Sequence, residues 1–120
     1  MEQGDILWVD DGKTNLVHPI IFIEKKDDES FYGCIISHEP EKGNVKMEPE
    51  HFRVKDEVGE PYRVQYGPSY LVFKKYIKKD LWITDETVKG KLTDEGIAFV
   101  LANTPPNEMA VFHPKPVYIE

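Results

Sequence analysis

The sequence predicts a mainly β domain, a small barrel with one α-helix towards its C-terminal end. Three observations carry that expectation. Short apolar runs rich in β-branched and aromatic residues recur between turn signals. Helix signals gather in one stretch only, beginning at Thr93. No apolar run reaches the roughly 18 residues of a membrane span.

The elements follow in order. Residues 5–9 (Asp-Ile-Leu-Trp-Val) are strand formers that stop at the turn signal Asp10-Asp11-Gly12. Residues 18–24 give a second strand, in which Pro19 fits only at the start or on an edge. A charged turn over 25–29 leads to a third strand over 30–38, and the two apolar runs predict a hairpin buried deeply on one face. Residues 45–47 and 52–54 are candidate short strands. Pro and Gly make 39–44 and 55–68 loops, and loops as long as the second are uncommon unless they bind something or are disordered. Residues 69–79 predict a strand, bulged where alternation breaks at Lys74-Lys75. Short strands over 81–83 and 87–92 come next. Thr93 as N-cap, Asp94 and Glu95 in the first turn, and the stripe Ile97, Val100 and Leu101 predict a helix over 93–104. Gly96 weakens it by roughly 1 kcal/mol relative to alanine, and Thr104-Pro105-Pro106 ends it. Residues 105–120 read as an added tail with short strands over 109–112 and 117–119.

At 120 residues the chain suits one domain, 1–120. Cys34 is the only cysteine, so an internal disulfide is excluded and a reducing compartment is the natural home. The N-terminal residues lack a basic start and a long apolar stretch, which argues against a secretory leader. A cytoplasmic location is the expectation. Cys34 sits in an apolar run and reads as a small buried hydrophobe; a nucleophilic thiol there would need His38, the base nearest in sequence. Net charge is −7, divided as 7 − 15 = −8 over residues 1–60 and 8 − 7 = +1 over 61–120. That balance argues against non-specific coating of nucleic acid. Residues 63–91 nevertheless hold seven bases against three acids, enough for a local basic stripe. The four histidines, 18, 38, 51 and 113, are too scattered for a zinc spacing. Asp10-Asp11 and Asp27-Asp28 fall where turns want them. No phosphate-cradling glycine loop is present, so neither metal nor cofactor is expected.

Four segments in order resemble the MazF/PemK/Kid toxin family. Gly4-Asp5-Ile6-Leu7-Trp8-Val9-Asp10 is similar to the family's opening strand. His18-Pro19-Ile20-Ile21-Phe22-Ile23 stands where the family has arginine-proline before an apolar strand, and Gly33-Cys34-Ile35-Ile36-Ser37 where the next strand ends in a hydroxyl residue. Gly90-Lys91-Leu92-Thr93-Asp94-Glu95 looks like the segment that opens the family's helix. The likeness covers residues 4–103; 39–68 match poorly. It implies an SH3-like barrel, a homodimer, a toxin partnered by an antitoxin, and metal-independent cleavage of single-stranded RNA. The family's catalytic pair falls on His18 and Ser37, so the arginine is replaced by histidine.

Metal-free RNA cleavage uses the 2′-hydroxyl as nucleophile, a base to take its proton, an acid for the leaving 5′-oxygen and positive charge at the phosphate. Histidine suits proton transfer, though it grips phosphate less well than arginine. Ser37 offers a hydrogen bond to phosphate or ribose. His38 follows it, and alternation turns it to the other face unless the strand ends or bulges there. Arg63, Lys74 and Lys75 are the candidate RNA-binding cations, and Tyr62, Tyr66, Tyr70 and Tyr76 the candidate stacking platforms. Trp8 and Trp82 read as core or dimer contacts. The rival expectation is a non-catalytic SH3-like interaction module that kept the barrel and lost the arginine. A toxin with another target, like the gyrase poisons of the same fold, ranks last.

Overall fold

A computed structural model describes residues 1–10, 17–41, 43–85 and 87–111. They form a curled antiparallel sheet of half-barrel form and one α-helix, the mainly β architecture expected. The strands are β1 (Asp5–Asp10), β2 (Val17–Lys25), β3 (Ser30–Ser37), β4 (Val45–Lys46), β5 (Tyr70–Leu71), β6 (Tyr76–Lys79) and β7 (Gly90–Lys91). The sheet runs β4-β5-β3-β2-β1-β7, and β6 also pairs with β3.

The three long strands explain the continuous apolar runs, because both of their faces are covered. On one face Ile6, Ile21, Ile23, Cys34, Ile36 and Leu71 pack with Met47, Phe52, Leu92 and Val100. On the other, Leu7, Val9, Ile20, Phe22 and Phe31 pack under Trp82, Ile83 and Val88. The hairpin is therefore buried on two faces rather than one. Pairing of β2 with β3 shifts by one residue between Phe22 and Glu24, so Ile23 is the inserted residue of a bulge. Ile20, Ile21, Phe22 and Ile23 enter the two clusters in turn, as successive strand residues do.

The helix α1 spans Asp94–Ala102. The Thr93 hydroxyl accepts a hydrogen bond from the Gly96 N–H at 3.0 Å and donates to the Glu50 carbonyl at 2.7 Å. A β-carbon on Gly96 would lie 2.2 Å from the His51 carbonyl oxygen. The residue that weakens the helix locally is thus the one that lets it touch the one-turn 3₁₀ segment Pro49–His51. Leu101 does not join the buried stripe and is 45% exposed. Phe99 stacks on the His51 ring instead, with centroids 4.3 Å apart.

Elsewhere the structure corrects the sequence. The run 69–79 is two strands, not one. β5 meets β3 at Ile36↔Leu71, whereas β6 meets it at Gly33↔Tyr76, so two extra residues are looped out of the pairing between them. Residues 80–82 form a 3₁₀ turn rather than a strand, with the Ile83 N–H returning to the Asp80 carbonyl and Leu81 87% exposed. Residues 52–54 reduce to a single bridge, Phe52↔Leu92, and the segment 87–92 to the two residues of β7. In the tail Asn107–Met109 is a 3₁₀ turn, and Val111 bridges Tyr76 in parallel. The strand expected over 117–119 lies outside the described residues, as does His113. Among the described residues no helix is long and apolar enough to cross a membrane.

Candidate functional site

Pairing register decides which side chains can meet, since directly opposed residues of neighbouring strands project from one face. His18 opposes Val9 of β1. The β2–β3 pairing includes Ile20↔Ile35. Pairing of β2 with β3 ends at that pair; His18 lies two residues before Ile20 and Ser37 two after Ile35, so alternation puts both side chains on the face that Ile20 and Ile35 occupy. Ser37 opposes Tyr70 of β5, and Tyr70 opposes Lys46 of β4. Ser37, Tyr70 and Lys46 therefore form a paired row across β3, β5 and β4, and His18 extends it on the same face.

The burial pattern agrees with that phase. The neighbours of the row in sequence, Ile36, Leu71, Met47 and half-buried Val45, turn into the helix-side cluster. The row belongs to the opposite face, whose cover of Trp82, Ile83 and Val88 packs on Leu7, Val9, Ile20, Phe22 and Phe31. His18, Ser37 and Tyr70 are half-buried and Lys46 is exposed.

The Ser37 oxygen accepts a hydrogen bond from the Glu39 N–H at 3.0 Å. A hydroxyl that accepts from the backbone keeps its own proton to donate. β3 ends at Ser37, and the exposed His38 points away on the loop side, where its Nδ1 donates to the Pro68 carbonyl at 3.0 Å. His38 thus pins the loop that delivers Tyr70 to the row. Cys34 is fully buried, and burial pushes its thiol up to about 12, so it is inert as a nucleophile.

Folding takes four of the seven bases out of the basic stripe. Lys75, expected to bind RNA, is buried, and its ammonium donates to Asn107 Oδ1 at 2.7 Å. Lys78 is wholly buried, its Nζ 5.6 Å from the Tyr76 ring and 5.7 Å from the Trp82 ring. Lys89 pairs with Asp85, and Lys91 with Glu2 and Asp5. Arg63 and Lys74 are exposed, with no ion pair among the described residues. Arg63 precedes Val64, whose N–H donates to the Lys89 carbonyl just before β7, and it is not among the paired positions of the row. Lys74 lies in the crossover that follows β5, four residues beyond Tyr70, and is not part of the row either. Of the other tyrosines, Tyr76 is buried, and Tyr66 packs against Phe52 with ring centroids 5.9 Å apart.

Lys46 is the residue that sequence reasoning passed over. It belongs to a two-residue strand, too short for any periodicity to mark its outward direction. A cleft of 610 Å³ lies at the other end of β3, lined by Lys26 to Ser30, Ile77 and Lys79 to Leu81. Four carboxylates line it, which makes it a poor phosphate site. Asp27 there accepts from the Glu29 N–H and the Ser30 hydroxyl, as a turn residue does. Among the described residues no cluster of His, Cys, Asp and Glu is arranged to hold a metal ion. No family model matches the chain, and no curated protein or solved structure matches it either.

Proposed function

We propose that the protein is a metal-independent endoribonuclease of the toxin type, acting on single-stranded RNA in the cytoplasm with His18 and Ser37 at its centre. One observation supports the reading above others. An imidazole and an alcohol, 19 positions apart in sequence, each lie two residues beyond the last β2–β3 pair, Ile20↔Ile35, on the same face as that pair, and both are half-buried.

The chemistry follows from those groups. Neutral His18 takes the proton of a ribose 2′-hydroxyl, whose oxygen attacks the adjacent phosphorus. Ser37, its oxygen held by the Glu39 N–H, gives its proton as a hydrogen bond to a phosphate oxygen on which charge develops. The bond from phosphorus to the 5′-oxygen breaks, and water protonates the departing oxygen. The products are a 2′,3′-cyclic phosphate and a 5′-hydroxyl. An antitoxin partner and a homodimer belong to the same proposal through the family resemblance.

The test is incubation of purified protein with mixed single-stranded RNA in the presence of a chelator. Cleavage with cyclic-phosphate ends is expected, and His18→Ala should slow it by about 10²- to 10⁴-fold. Equal RNA stability with wild type and variant would overturn the reading.

A second reading, a non-catalytic interaction module on the same barrel, draws on the single permanent cation of the row, Lys46. It expects stable capture of a defined protein partner with RNA left intact.

A further inference from the structure

The row continues past the pair that does the chemistry, and its two further members carry different physics. Tyr70 is set on an unusually firm base. Its strand is paired on both sides, to Ser37 on β3 and to Lys46 on β4. The residues flanking it are buried, Ser69 at 2% exposure and Leu71 at 0%. The Ser69 hydroxyl donates to the Gly67 carbonyl at 2.6 Å, and the Ser69 carbonyl accepts from the Met47 N–H at 2.9 Å. A half-buried aromatic ring on so fixed a backbone loses little freedom when a flat partner lies on it. Lys46 is anchored the same way, between half-buried Val45 and fully buried Met47, with its own side chain in solvent.

We infer that Tyr70 stacks an unpaired base and Lys46 holds a phosphate of the same strand, so that single-stranded RNA crosses the sheet along the row from His18 to Lys46. The inference rests on the nuclease reading and names the subsites of that site. Neighbouring strands lie about 4.8 Å apart, so three steps from β2 to β4 span about 14 Å. That length matches about four nucleotides at the roughly 3.4 Å per residue of a stacked strand. Bases present a π-face whatever their identity, so Tyr70 contributes affinity with little sequence preference. Lysine at a sheet edge also discourages strand-to-strand association. That role needs no nucleic acid, and the salt dependence of binding separates the two.

The probe is a 5′-labelled pool of randomised 12-mer RNA with every 2′-oxygen methylated, so that binding is read without cleavage. Fluorescence anisotropy is followed over a range of KCl for the wild type, Tyr70→Phe, Tyr70→Ala, Lys46→Gln and Lys46→Arg. Tyr70→Ala should weaken binding by about 5- to 150-fold, the range for loss of one stacked base. Tyr70→Phe keeps the ring and should stay within about twofold of the wild type. Lys46→Gln should weaken binding and reduce the slope of log K against log salt by about 0.7, one phosphate contact on a single strand. Lys46→Arg should restore that slope. A wild type that binds, with Tyr70→Ala and Lys46→Gln binding equally well, overturns this inference and leaves the nuclease reading standing. A wild type that neither binds the pool nor cleaves unmodified RNA overturns both.

Discussion

The two faces of the sheet solve the same problem differently. The helix side is closed along its length: α1, Met47, Phe52 and Leu92 cover Ile6, Ile21, Cys34, Ile36 and Leu71. The opposite face is closed over β1, β2 and the start of β3 by Trp82, Ile83 and Val88, while its β4–β5 end carries the half-buried and exposed row. Adjacent residues therefore have opposite duties. Leu71 and Met47 are core, whereas Tyr70 and Lys46 beside them reach solvent. In a two-residue strand one position can serve stability and the next recognition, with no helix or loop needed to separate them.

The sharpest way to break this contrast is a pair of neighbouring substitutions. Leu71→Ala removes a fully buried side chain and should cost about 2–5 kcal/mol, read as a lower denaturant midpoint. Tyr70→Phe, one residue away, should stay within about 0.5 kcal/mol. Comparable losses at both positions would mean that the row is simply more core. Gly96→Ala tests the closed side at its tightest point. The new methyl group must displace the His51 carbonyl, and a net loss of about 1–3 kcal/mol is expected despite the gain in helix propensity. A stabilised variant would show that the contact relaxes freely. Thr93→Ala removes the helix cap and the link to Glu50, for about 1 kcal/mol.

The smallest effect is electrostatic. Hydrogen bonds from the Lys89 ammonium and the Thr87 N–H hold the Asp85 carboxyl well below its ordinary value of 3.8. The folded state therefore prefers the charged form. Its stabilising contribution is present above about pH 3.8 and fades as the pH falls through the depressed value. Asp85→Asn should lower the melting temperature slightly at neutral pH, and the gap should close in acid. A gap that widens in acid would reverse the assignment.

The sequence makes β1, β2 and β3 readable because their apolar runs are long and bounded by turn residues. It makes α1 readable because Thr93, Asp94 and Glu95 announce its start. His18 and Ser37 are visible as candidates through the family resemblance. What stays hidden depends on non-local pairing. The split between β5 and β6 comes from two registers on one strand, and no local pattern encodes that. The basic stripe misleads for a related reason. Residue type gives the charge of Lys75 and Lys78, but only the fold shows that both are buried. Tyr70 meets Ser37 on one side and Lys46 on the other because β5 lies between β3 and β4, and the Ser37–Tyr70 pair spans 33 residues of sequence.

The buried ammonium of Lys75 has a consequence for the segment that follows α1. Asn107 accepts from it through Oδ1 and donates through Nδ2 to Glu24 Oε1 at 2.6 Å. One neutral amide stands between a cation and an anion, with its acceptor end towards the first and its donor end towards the second. Only that orientation satisfies both neighbours. Aspartate at this position would offer oxygen to oxygen at Glu24 and repel it. The segment leading to Val111 is thus fastened to the sheet by a polar key that fits one way round, where an apolar patch would have allowed it to slide.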